Sequence, residues 1–360
     1  MTTKQYFILR SQKSDFRAAL AELLDMAVAA DCGRVVRMVF FGAPSSNEEY
    51  IEQNSIIKEC VSHIDNPILS AYIAQAPLCS TLAAEVTCVD EKVVVEHKGD
   101  YCLLNGREIL SAAIQSDPML GIGEQAEQIF AHMSEILAAE GIAIDDIVRQ
   151  WNYIERITDF STRGQHYQLF NDARSEFYSR CAWTNGYPAA TGIGAQWGGV
   201  VVVFDALRNS AGHSCPVDNP LQISAHSYSQ KVLINNTDKH KTTPKFERAR
   251  YVAGASPMVY ISGTAAIRGE ASCMEDLTSQ TRLTMENIDY LTSGENLKNS
   301  GVAEVGSLKY RAMRAYLKNR TDWTLAKEWL DENYPTVDML YLWADICREE
   351  LLIEIEGFAV

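Results

Sequence analysis

The sequence predicts an α+β protein built from two diverged copies of one folding unit, with mixed sheets each backed by helices. Three observations carry that expectation. An octamer recurs, as Tyr153-Ile-Glu-Arg-Ile-Thr-Asp-Phe160 and as Tyr316-Leu-Lys-Asn-Arg-Thr-Asp-Trp323, with its aromatic, aliphatic, charged and Thr-Asp positions in the same order. Each octamer lies downstream of a helix-like segment that runs up to a glycine, Gly141 or Gly301. Each is followed by a second helix-like segment and then a Tyr-Pro pair, Tyr187-Pro188 or Tyr334-Pro335. Four matches in one order are the mark of an internal repeat.

The elements follow from local pattern. In 124–140, residues Ile129, Phe130, Met133, Ile136 and Leu137 share one helical face, and Gly141 suits the turn that ends the helix. Residues 277–300 read as a looser helix interrupted at Gly294. Proline after each second helix marks its stop. The run Val200-Val-Val-Val-Phe204 has no polar face, so it predicts a strand buried on both sides. In Leu351-Leu-Ile-Glu-Ile-Glu-Gly357, Ile353 and Ile355 point one way and Glu354 and Glu356 the other, which reads as a strand. Residues 1–110 add short strands at 35–41 and 92–96 and a helix near 47–62. The expected division is 1–207, one unit with an extra N-terminal segment, and 208–360, the second. Their joint is where a small-molecule cleft would form.

Composition narrows the function. A 47% hydrophobic content across 360 residues supports a sizeable core. No apolar stretch reaches the length of a membrane span, and the first residues lack the apolar run of a signal peptide. A net charge of −15 argues against a nucleic-acid surface, and it obliges any site for an anion to build a local positive patch. The basic run from Lys239 to Arg250 reads as a solvated loop. Nine cysteines are scattered singly, without a CxxC pair, so neither a zinc ribbon nor a disulfide framework is indicated, and a reducing, cytoplasmic setting fits. The seven histidines form no HxH or HExxH, Gly192-Ile-Gly194 is no dinucleotide fingerprint, and GxSxG and P-loop motifs are missing. The expectation is no metal, no organic cofactor, no nucleic-acid or membrane partner, and a monomer or small homo-oligomer.

The order of helix, glycine, strand, Tyr-aliphatic, helix, proline and Ile-Glu-Ile-Glu-Gly resembles the Rid (YjgF-like, L-PSP endoribonuclease-like, chorismate mutase-like) superfamily. Within it, the tandem arrangement resembles the chorismatases of the FkbO/Hyg5 type over roughly 140–360. The segments that carry this are Arg149–Tyr153, Tyr167–Arg174, Pro188–Gly194, Pro244–Ala249, Ile261–Ala265 and Asp345–Glu356, with Cys347 seven residues before Glu354. The resemblance implies hydrolytic loss of pyruvate from chorismate, giving a dihydroxycyclohexadiene carboxylate or 3-hydroxybenzoate. It also implies a glutamate on the last strand as the acid, a Tyr/Arg pair on the substrate, and product choice influenced near Gly263 and by a cysteine such as Cys347. Glycine at 263 together with Cys347 leans toward 3-hydroxybenzoate. Single-unit Rid deaminases carry an arginine two residues after the helix-stopping proline. Ala190 and Val337 stand there instead, which argues against imine hydrolysis of that kind.

The chemistry asks for few groups. Hydrolysing an enol ether begins with a slow protonation at carbon, so the acid must be held in place and be protonated near neutral pH. A carboxyl in a water-poor cleft meets that need. Glu354 is the candidate; the alternative is that Glu354 and Glu356 both face water. Tyr167 and Arg174, seven apart on one helix, are candidates to bind a carboxylate, against an arginine paired with Asp172 or Glu176. Tyr228 and Arg248 are weaker candidates for the same task. Cys347 reads equally as a small core residue, and Gly263 as a tight turn or as room for substrate.

Overall fold

The computed structural model describes residues 2–233, 241–303, 306 and 308–360. Its first surprise is that the unit is written three times. The first copy is β1 (Lys4–Ser11), α1 (Phe16–Ala29), β2 (Arg34–Phe41), α2 (Asn47–Ser62), β3 (Leu69–Ile73) and β4 (Leu82–Val89), in a sheet of order β1-β4-β2-β3. The second adds strands in front: β5 (Val95–His97), β6 (Tyr101–Leu104), β7 (Glu108–Ser111) and β8 (Ile114–Gln115). It continues with α3 (Ile122–Ala139), β9 (Ile147–Glu155), the small hairpin β10 (Phe160–Ser161) and β11 (Gly164–Gln165), α4 (His166–Tyr178), β12 (Ala189–Ala195) and β13 (Val200–Leu207). The third runs β14 (Ser214–Val217), β15 (Ala249–Val252), β16 (Met258–Ala265), β17 (Ile267–Arg268), β18 (Ala271–Ser272), α5 (Leu277–Thr292), α6 (Gly294–Asn299), β19 (Tyr310–Leu317), α7 (Trp323–Asn333), β20 (Met339–Trp343) and β21 (Ile353–Ala359). The orders β7-β13-β9-β12 and β16-β21-β19-β20 repeat the β1-β4-β2-β3 of the first sheet. The N-terminal part of 1–207 is therefore a full βαβαββ unit, and the second sheet gives way to the third between β13, ending at Leu207, and β14, starting at Ser214.

Local chemistry accounts for the elements. Helix α2 starts where Ser46 accepts a hydrogen bond from the Glu49 amide, and α5 where Asp276 accepts from Ser279. Gly141 and Gly301 take positive φ beyond their helices, at 60° and 93°. The strand expected at 92–96 is found as β5, which begins three residues later and ends one residue later.

Helices cover only the outer face of each sheet: α1 and α2 the first, α3 and α4 the second, α5 and α7 the third. The inner faces pack on one another around Tyr6, Phe41, Trp151, Tyr153, Tyr260, Tyr316 and Phe358. For that reason β21 has no wet face. Ile353 and Ile355 point to the helices while Glu354 and Glu356 point inward, and all four are buried. The alternative that Glu354 and Glu356 both face water is excluded, because the inner face of one sheet is covered by the others.

Three ion pairs, all with side chains no more than 2% exposed, tie the units in a cycle. Arg37 of β2 meets Asp205 of β13 at 2.6 Å, Arg149 of β9 meets Glu356 of β21, and Arg314 of β19 meets Glu85 of β4 through two 3.0 Å bonds. Each pair crosses a different joint between units. Cys32 and Cys88 form a disulfide with Cα atoms 6.0 Å apart, a pairing that spacing could not disclose because the partners are 56 residues apart; the other seven cysteines are free. Among the described residues no helix is long and apolar enough to cross a membrane.

Candidate active site

The joint between the second and third units opens into a pocket. Helix α4 and strand β12 form one wall, through Tyr167, Gln168, Asn171, Ala190 and Gly192. Strands β16 and β21 form the other, through Gly263, Ala265 and Glu354. Tyr228, Val232, Leu233, Pro244, Phe246 and Arg248 close one side, and Cys347, Arg348 and Leu351 the other. Strand pairing places Glu354 opposite Tyr316, and the same register puts Val201 opposite Tyr153 and Ala83 opposite Phe41. Of the three corresponding positions, one carries an acid.

Glu354 is 5% exposed, and none of the described residues donates a hydrogen bond to its carboxyl. Burial and then the neighbouring charge of Glu356 push its pKa up to about 8, with Arg248 and Arg149 opposing. The carboxyl is therefore protonated at neutral pH. Glu356, two residues on and equally buried, behaves in the opposite way. It accepts from Thr191 and Tyr316 and is ion-paired with Arg149 and, at 3.0 Å, with Arg314. Burial works against ionisation there, but the two guanidiniums and the two hydroxyls hold the carboxyl below its usual range.

Gly263 makes the position of the acid possible. A Cβ at residue 263 would lie 2.1 Å from Glu354 Oε1 and 3.0 Å from its Cδ. The backbone reaches this point through a bulge, since β16 pairs Ile261 with Gly357 and then Thr264 with Ile355, leaving Ser262 and Gly263 across from Glu356. The bulge is pinned by Gly263 N–H donating to Thr191 Oγ1 (3.0 Å), Ala190 N–H donating to Ser262 Oγ (2.9 Å) and Ser262 Oγ–H donating to the Glu247 carbonyl (2.6 Å). The tight-turn reading of Gly263 gives way to close approach.

Cys347 sits beside the acid, and burial followed by the Glu354 charge pushes its thiol up to about 12, so it is neutral. The Tyr167 hydroxyl is likewise raised, mainly by burial and then by Cys347, with Arg174 pulling the other way. Tyr228 lies between two guanidiniums: Arg248 is 5.6 Å and Arg348 5.0 Å from its ring centre. Arg248 donates to the Tyr228 hydroxyl and the Ile223 carbonyl, both at 2.7 Å. Arg348 donates to the Glu270 carbonyl (2.9 Å) and Ser272 Oγ (3.0 Å). Neither guanidinium forms an ion pair with a carboxylate among the described residues, although Arg348 is close enough to Glu270 to help lower that carboxyl's pKa, so the pocket holds positive charge inside a chain of net −15.

Six of the seven residues singled out from sequence, Tyr167, Tyr228, Arg248, Gly263, Cys347 and Glu354, line this pocket. Arg174 stands one layer behind, 1% exposed, bonded to Asn171 and stacked 5.4 Å over Phe170, and neither Asp172 nor Glu176 pairs with it. Among the pocket residues not singled out from sequence are Asn171 and Arg348. The second adjoins Cys347, and that adjacency was the available signal. The basic run is also not a solvated loop. Lys239 and His240 lie outside the described residues, but Pro244, Phe246 and Arg248 face the pocket and Arg250 is fully buried, because β15 is an inner strand of its sheet. Arg250 binds the carbonyls of Asn185, Gly186 and Tyr187, which clamps the loop leading into β12.

Comparison with known proteins bears on the family and the fold. The family model "Chorismatase FkbO/Hyg5-like, N-terminal" matches residues 85–206. A 3-hydroxybenzoate synthase of Streptomyces hygroscopicus is 32% identical over 275 residues, covering 74% of this chain and 75% of that protein. A chorismatase of Streptomyces rapamycinicus is 32% identical over 226 residues, with 59% of this chain and 63% of that protein covered. A chorismatase crystal structure has the same fold throughout, with a TM-score of 0.78 at 20% identity over 100% of this chain and 99% of that one.

Proposed function

The chain belongs to the FkbO/Hyg5-like chorismatase family, and from that premise we propose that it converts chorismate to pyruvate and 3-hydroxybenzoate with Glu354 as the acid. The observation that carries the assignment is a buried carboxyl, protonated at neutral pH, facing a pocket that also offers two arginines outside any ion pair. Glu354 delivers its proton to the methylene carbon of the enol ether. Water captures the resulting oxocarbenium ion, and the hemiketal collapses to pyruvate and the ring alcohol. Arg248 and Arg348 match the two carboxylates of a dianion, and charged donors of this kind hold carboxylates strongly. Tyr167 and Tyr228 supply directed donors. Arg174, behind the lining, contributes charge to this wall.

The 3-hydroxybenzoate branch is the reading favoured here. The water consumed at the enol ether is returned when the ring dehydrates and becomes aromatic. The neutral thiol of Cys347 beside the acid and the absence of a side chain at Gly263 support that branch, as does the name of the synthase relative. Three units close a ring within one chain, which supports a monomer, and seven of nine cysteines left free support a cytoplasmic setting, against the one Cys32–Cys88 disulfide.

Incubating the protein with chorismate and quantifying both products tests this. Equal amounts of pyruvate and 3-hydroxybenzoate are expected. Pyruvate with a dihydroxycyclohexadiene carboxylate would move the enzyme to the other branch, and no pyruvate would sink the assignment.

A further inference from the structure

We propose that Gln168 recognises the ring hydroxyl of the substrate, its side-chain oxygen accepting the one hydrogen bond that chorismate can donate. This rests on the substrate assigned above and adds to it a residue that sets specificity. With both carboxylates ionised, chorismate carries a single O–H, on the ring carbon next to the enol ether. The groups already assigned, Arg248, Arg348, Tyr167, Tyr228 and the protonated Glu354, all offer hydrogens to an anion. A hydroxyl enclosed among donors alone would lose the bond it makes to water, so a pocket that fits this substrate needs an acceptor as well.

Gln168 supplies one whose direction is fixed. It follows Tyr167 on α4 and is buried in the pocket wall. Which end of a side-chain amide is nitrogen and which is oxygen is read from the neighbours. Here Nε2 lies 2.9 Å from Asp172 Oδ1 and 3.4 Å from the Thr242 carbonyl oxygen. A carboxylate and a carbonyl only accept, so both amide hydrogens are committed, and the reversed amide would set oxygen against two oxygens. Oε1 is thereby turned away from both partners. No described residue donates to it, and it is not among the enclosed atoms left without a partner, so its open side is the pocket that Gln168 lines. Gln165 lines the pocket too, but one 3.5 Å bond to the Thr158 carbonyl leaves its amide free to turn. The Asn171 oxygen is already engaged by Arg174 at 2.5 Å.

A cycle of two substrates and two proteins tests this, with chorismate set against its analogue bearing hydrogen in place of the ring hydroxyl. In the wild type, kcat/KM for pyruvate release should be about 5- to 150-fold lower for the analogue. Gln168→Met keeps the length of the side chain and removes the acceptor; it should lower kcat/KM for chorismate by a similar factor and leave the analogue nearly unchanged. Gln168→Asn, which draws the oxygen back by one methylene, should show the same selective loss and serves where Gln168→Met does not fold. A purely structural role would lower both substrates alike. That outcome, or equal turnover of the two by the wild type, overturns the proposal. Binding keeps it apart from the assigned reaction. In Glu354→Gln, isothermal titration should give a Kd about 5- to 150-fold weaker for the analogue than for chorismate. Equal Kd values, or no binding of either, refute the acceptor, whereas a wild type that releases no pyruvate while this difference in Kd persists refutes the reaction alone.

Discussion

Two sets of buried arginines divide this molecule. At the centre, Arg37, Arg149 and Arg314 are each neutralised by a carboxylate of another unit. Around the cleft between the second and third units, Arg174, Arg248, Arg250 and Arg348 are also buried, and the hydrogen bonds they make go to carbonyls, hydroxyls or an amide. The central set closes the ring of three units. The cleft set leaves charge unspent for an anion. The same contrast recurs in miniature on β21, where Glu356 is ionised among arginines and Glu354, two residues away, keeps its proton.

The largest expected effect separates those two glutamates. Glu354→Gln should lower kcat for pyruvate release by about 10²- to 10⁴-fold, the usual contribution of a general acid, while the chain folds normally. In the wild type, kcat should hold steady up to about pH 8 and fall above it as Glu354 ionises. The sign for stability follows. A carboxyl whose folded pKa is raised costs nothing below its unfolded value, and the cost grows until the pH passes the folded value. Glu354→Gln should therefore match the wild type in thermal midpoint near about pH 4 and exceed it near about pH 9. A rate unaffected by the substitution would end the division of labour between the two residues.

Next comes the centre. Glu356→Ala leaves Arg149 without its counter-ion in the interior, and breaking a buried pair in this way costs about 3–5 kcal/mol. Urea unfolding measures it. Arg248→Leu, by contrast, removes a buried charge that had no carboxylate, so stability should change by less than about 1 kcal/mol. Comparable losses from both would show that the two arginine sets do the same structural job.

The cleft arginines should instead report in binding. Arg248→Leu and Arg348→Leu should each raise KM for chorismate by about 10- to 150-fold, the worth of one charge-assisted hydrogen bond. A change confined to kcat would take either residue off the substrate carboxylates.

How much of this was legible follows from where the signals lie. The repeated octamers mark the turn from an inner strand into a helix, so two units could be seen. The first unit makes the same turn through Gly42-Ala-Pro-Ser-Ser46, which keeps the helix cap but not the Thr-Asp marker, so its kinship appears only in strand order. Alternation on β21 reported two faces correctly but could not say that both are covered, since the cover comes from sheets remote in sequence. Glu354 and Cys347 were found through resemblance to a family. Arg348 and Asn171 carry no periodic or motif signal; their role depends on tertiary neighbours, Tyr228 for one and Arg174 for the other.

The smallest expected effect concerns reach. The net charge of −15 repels a dianion at long range, and salt screens charges that are exposed and distant. Arg248 and Arg348 are 3% and 8% exposed, so their attraction acts at contact distance, where salt screens little. Raising ionic strength should then remove the repulsion and leave the attraction, and kcat/KM should rise by about two- to threefold between low and physiological salt. A fall instead would mean that the field of the cleft extends beyond its mouth and outweighs the surface. In that case the cleft arginines would steer the substrate as well as hold it, and burial would no longer separate their role from that of surface charge.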